Sequence, residues 1–126
     1  MVQIDGYFNT RNDPVIKLDV GSSKVEFLVD TGFNGGLIFP NQVAERLDIS
    51  YDRGLEEFSS VTGTVFLASG CSMMITWFGQ AIRVPVAASA EVNEAILGSK
   101  MLKRCRLIID YVNSTVTIMQ IPARGK

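Results

Sequence analysis

The sequence contains no histidine. That removes hydrolases whose serine or cysteine relies on an imidazole base, and it removes histidine-ligated zinc. Cysteine is scarce as well. Cys71 and Cys105 show no metal-type spacing and read as small buried hydrophobes or free thiols, with no metal or other cofactor implied. Neither sign of charge is in excess, because 12 Lys and Arg against 13 Asp and Glu leave a net charge of -1. So balanced a chain has no electrostatic reason to take nucleic acid or an anionic membrane as its main partner. The cluster Lys100, Lys103, Arg104 and Arg106 reads as a solvated face rather than a phosphate site. The N-terminal MVQIDGYF lacks the basic start and apolar core of a secretory signal, so a cytoplasmic location is expected.

Charge is missing altogether from "FSSVTGTVFLASGCSMMITWFGQAI", residues 58 to 82, a run long enough to span a bilayer. Its serines, threonines and glycines and Gln80 work against insertion into lipid, so strands and a flexible hairpin are expected here and no membrane partner. What the chain does have is a globular make-up. With 126 residues, 47% of them apolar, it is sized for one domain over residues 1–126.

"VIKLDV" and "KVEFLV" alternate at period two, which puts Ile16, Leu18 and Val20, then Val25, Phe27 and Val29, on one face each, with "GSS" as the turn. In "PNQVAERLDI", Pro40 is placed to start a short helix and Val43 with Leu47 forms an i,i+4 apolar pair. "MMITW" and "AIRVPVA" form a second hairpin through "FGQ", with Pro85 marking an edge or a bulge. "AILG" ends in a glycine, "SKMLKRC" reads as a short helix, and "RLIIDY" and "STVTIMQI" close the chain as strands. Both halves thus run hairpin, apolar strand ending at a glycine (Gly32, Gly98), short helix, further strand. Such an order predicts an all-β fold with one or two short helices and a pseudo-two-fold internal repeat, in which "LVDTG" and "AILG" lie side by side.

That leaves the question of why Asp30 follows an apolar strand and precedes a run of glycines. Alone, it reads equally well as a turn residue whose carboxylate accepts local N–H bonds. One carboxylate by itself does little acid–base chemistry on amides. Taken together, "LVDTG", a flap-like middle segment and "AILG" followed by a helix and a strand resemble the retropepsin-like aspartic proteases, the single-lobe relatives of pepsin that include retroviral proteases. "DTGFNGGL", "WFGQAIRVPV" and "ILGSKML" with "LIIDY" and "TVTI" are similar above all to small bacterial and archaeal members, over roughly residues 14 to 121.

The resemblance implies a retropepsin-like single-lobe acid protease fold and an aspartic endopeptidase acting on peptide or protein substrate. It implies a homodimer in which Asp30 meets its copy from a second chain, Thr31 locks the two loops, and Gly32 lets backbone pass close by. The closing strand "STVTIMQI" is expected to supply interface. Phe33, Asn34 and Gly35 are expected to contact substrate, as are Val61, Thr62 and Gly63 of a mobile flap. Three positions depart from the retroviral pattern: Phe33 stands where a small residue is usual, and Asn34 and Ser99 replace the two partners of an internal ion pair. A second reading keeps the fold but turns over slowly or not at all, a peptide-binding or structural dimer in which Phe33 obstructs the floor or the flap is too disordered to close. Trp77 and Phe78 read as packing, and Met73 and Met74 as filling.

Overall fold

The computed structural model describes residues 3–47, 49, 54–59, 63 and 65–122. The expected first hairpin is β2 (Pro14–Val20) and β3 (Ser23–Val29), antiparallel from Val15↔Leu28 to Val20↔Ser23 around a two-residue turn. Its alternation does what period two demands: Ile16, Leu18, Val20, Phe27 and Val29 are buried, and Val25 packs partly buried against them. β4 (Leu37–Pro40) follows the glycine-rich loop and runs into α1 (Asn41–Arg46), which turns Ala44 fully inward and packs Val43 and Leu47 on the core.

β5 (Gly54–Ser59) and β6 (Val65–Trp77) pair antiparallel, and β6 returns as β7 (Gln80–Ser89) through a tight turn at Phe78 and Gly79. The uncharged run is therefore strand, and no helix among the described residues is long and apolar enough to cross a membrane. Phe78 is buried and sets its ring edge-on to Trp77, as packing residues do. Pro85 stands one residue before β4 joins β7 at Val86, where β7 has only β6 beside it, so its missing N–H costs the second ladder nothing.

β8 (Ile96–Leu97) is short, and the segment expected as a helix after it is one 3-10 turn, Ser99–Leu102. The chain has no room for more, because β9 (Cys105–Asp110) begins three residues further on and pairs with β10 (Thr115–Gln120). A strand that period-two reading passed over, β1 (Gln3–Phe8), lies along β10.

The sheet order is β5-β6-β7-β4-β8-β3-β2-β1-β10-β9, and a further pairing at Val20↔Ile75 joins β2 to β6, closing six strands into a barrel. The internal repeat appears in the pairing itself. β3 runs parallel to β8 and β4 parallel to β7, so the strand before the loop in each half pairs with the strand after the loop in the other. "LVDTG" and "AILG" do lie side by side, through Leu28↔Ile96 and Val29↔Leu97. Gly32 and Gly98 are nevertheless not counterparts: Gly32 sits in the loop after β3, whereas Gly98 follows β8 as Asn41 follows β4.

β10 has β1 on one side and β9 on the other, so both its backbone edges are filled within the chain and only its side chains could meet a partner. The turn that follows β9 is held by Asp110, whose carboxylate accepts the Asn113 N–H at 3.1 Å, the Asn113 side-chain amide at 2.9 Å and the Val112 N–H at 2.9 Å. These bonds hold the Asp110 carboxyl below its ordinary 3.8. A folded value below the unfolded one gives stability that is complete above the unfolded value and lost as pH falls through the folded one. The urea-midpoint deficit of Asp110→Ala is therefore expected to be larger near neutral pH than in acid well below the ordinary carboxylate range. A deficit equal at both would show that the charge plays no part.

Candidate active site

Asp30 is half-buried at the end of β3. Its N–H donates to the Leu97 carbonyl at 3.0 Å, one step beyond the Leu28 to Ala95 bond, so the parallel ladder with β8 carries the chain to this residue and stops. Loop residues 30–36 then fold back on themselves and on the start of the 3-10 turn. Gly98 N–H donates to the Gly36 carbonyl at 2.7 Å, Ser99 N–H to Phe33 at 2.9 Å and Lys100 N–H to Gly35 at 3.1 Å. Backbone held to backbone at three points is a rigid mount for one side chain.

So close an approach decides which glycine matters. A Cβ on Gly98 would lie 2.3 Å from the Gly35 carbonyl oxygen and 2.5 Å from the Phe33 ring. One on Gly35 would lie 2.6 Å from the Phe33 and Phe58 rings. Gly32 itself contributes its N–H, which donates to Asp30 Oδ1 at 3.0 Å. This is the local bond that a turn aspartate makes, and it fixes one oxygen of the carboxylate. Oδ2 takes no donor among the described residues. Thr31 is exposed beside it, and its hydroxyl has no partner among them either.

Phe33 and Gly35 do not face outward, as substrate contacts would have to. Phe33 is 4% exposed and stacks its ring at 5.2 Å on Phe58 in a second apolar cluster with Ile38, Ala68 and Ala87. The loop is therefore roofed over a small core of its own, and the bulky residue that departed from the retroviral pattern is part of that core. Asn34 stays exposed, and its Oδ1 accepts the Ser59 N–H at 3.4 Å, tying the loop to the last residue of β5. That bond is long and wet, so Asn34→Ala is expected to cost less than about 1 kcal/mol in a urea titration. A larger loss would make the side chain, rather than the backbone bonds, the loop's main support. Ser99 acts through its backbone, and the ion pairs among the described residues, Arg11 with Asp13 and Glu94 and Lys24 with Asp19, all lie away from the loop.

The expected flap is the β5–β6 hairpin, paired up to Ser59↔Val65. Gly63 in its connection is exposed with φ +87°, a left-handed value that suits glycine. Val61 and Thr62 lie outside the described residues. Phe58, which sequence reasoning left unassigned, joins the base of this hairpin to the loop. Its local signal was no more than a single aromatic after two glutamates in "LEEFS".

No protein-family model matches the chain, and no curated protein matches it in sequence. Among solved structures it is similar to a retropepsin-like aspartic protease from Rickettsia conorii, with a TM-score of 0.66 and 17% identity over 94% of this chain and 90% of that one. It is also similar to EIAV protease in complex with an inhibitor, with a TM-score of 0.61 and 18% identity over 76% of this chain and 90% of the other.

Proposed function

We propose that this chain, whose fold is that of the retropepsins, is one domain over residues 1–126 and acts as an aspartic endopeptidase when two copies meet at Asp30. The observation that carries the proposal is the mounting of Asp30: a half-buried carboxylate with one oxygen fixed and the other open, on a loop bolted to Gly98 in that fold. A rigid, outward-reaching carboxylate is more than a turn requires.

Two such carboxylates brought together share one proton, because close like charges are costly. The ionised one takes a proton from a water molecule as its oxygen bonds to the scissile carbonyl carbon, and the other gives its proton to the carbonyl oxygen. In the second step the now protonated carboxyl donates a proton to the amide nitrogen as the C–N bond breaks, and the ionised one takes a hydroxyl proton from the tetrahedral diol, leaving a carboxylic acid and an amine and restoring the pair. Water is the nucleophile throughout, which suits a chain without histidine. Thr31, exposed and unbonded, is placed to bond the partner's loop, and the β5–β6 hairpin covers an extended substrate held by main-chain hydrogen bonds. Cys71 and Cys105 form no disulfide, which suits work on peptides or proteins in the cytoplasm.

One ground for the non-catalytic dimer was Phe33 obstructing the floor, and the burial of that ring in the second cluster favours the enzyme. The test is incubation with a random peptide library from acidic to neutral pH, read by mass. Cleavage that disappears in Asp30→Asn supports the proposal, and cleavage that persists in that variant overturns it.

A further inference from the structure

Residues 100 to 106 carry four cations, Lys100, Lys103, Arg104 and Arg106, for which the chemistry above has no use. None has a carboxylate partner among the described residues. Two of them line a cleft of about 270 Å³ whose other walls include Gly36, Phe58, Val86 and Met101. Gly36 ends the loop that Asp30 begins, and Phe58 lies at the base of the hairpin packed on that loop. The cleft therefore borders both the end of that loop and the base of that hairpin.

We infer that this cleft is a specificity subsite for an acidic side chain of the substrate, with Lys100 and Lys103 as the residues that select it; the inference rests on the proteolytic reading. An extended peptide points alternate side chains to one side, so one position at a fixed distance from the scissile bond would enter the cleft. Apolar walls accept the methylenes of glutamate, and two exposed ammonium groups receive its carboxylate in surroundings drier than open water. An uncharged or basic side chain leaves both lysines without gain or repels them. Gly36 controls the width: a Cβ there would make ordinary contact with Met101 at 3.7 Å, so Gly36→Ala narrows the cleft without straining the loop.

The experiment compares short fluorescein-labelled peptides carrying Glu or Gln at each position in turn, for the parent and for Lys100→Glu/Lys103→Glu, by cleavage and by equilibrium binding. The parent is expected to prefer Glu at one position roughly three- to tenfold, through KM with kcat little changed, and to lose the preference in high salt. The double variant is expected to reverse it in favour of Gln at the same position. Gly36→Ala is expected to weaken binding of both peptides equally. Absence of a Glu preference at every position, or a preference that survives charge reversal, overturns the inference. Binding preference that reverses while no peptide is cut leaves the subsite standing and removes proteolysis.

Discussion

Gly98→Ala is expected to destabilise the protein by about 3 kcal/mol or more, enough to unfold much of it at ordinary temperature. The methyl group would meet the carbonyl oxygens of Gly35 at 2.3 Å and Phe33 at 2.7 Å. Neither can move away cheaply, because Gly35 accepts the Lys100 N–H and Phe33 accepts the Ser99 N–H. Separating the strands by enough to admit a Cβ breaks both bonds and lifts the loop off its small core. Ser99→Ala, one residue on, removes an exposed hydroxyl and keeps the backbone bond, so it should change stability by less than about 0.5 kcal/mol. Urea titration of the two variants measures the contrast. A Gly98→Ala protein with a midpoint near that of the parent would mean that the loop is not clamped at this point.

The contrast also marks where reading the sequence succeeds. Period-two alternation gave away β2 and β3 because one face of each is buried and the other wet, and the two glycine-terminated apolar strands were correctly placed together. β4 escaped that reading for a physical reason. It lies between β7 and β8 with all four residues buried, so it has no polar face to alternate with. β1 escaped because Gly6, half-buried at its centre, looks like a break. A Cβ there would strike the Val15 carbonyl at 2.2 Å, so the glycine is what lets β1 lie against β2. Within the loop, the place of Asp30 at the end of an apolar strand was legible, but the direction of its neighbours was not. Phe33 turns inward because Phe58, far along the chain, supplies its stacking partner and Gly35 leaves it room, and no local pattern encodes that meeting. The lysines of residues 100 to 106 looked like a solvated face until Gly36 and Phe58 put an apolar cleft beside two of them.

Asp30→Asn is the second large effect, and it falls on activity rather than on folding. The asparagine keeps an oxygen that can accept the Gly32 N–H, so the turn survives and the thermal midpoint should match the parent's or rise slightly as repulsion across the dimer is relieved. Peptide cleavage should fall by about a thousandfold or more, because the amide can neither hold the shared proton nor take one from water. A structural aspartate predicts the opposite pairing, a lower midpoint with activity per folded molecule unchanged.

The measurement that bears most directly on two Asp30 carboxylates acting together is a mixing series. Parent and Asp30→Asn chains are combined in varied ratio, unfolded and refolded together, and assayed for cleavage at constant total protein. If each active site needs an aspartate from both chains, activity follows the square of the parent fraction, and an equal mixture retains about one quarter of full activity. Activity proportional to the parent fraction, with about one half retained in the equal mixture, would mean that each chain cuts alone and would contradict the account.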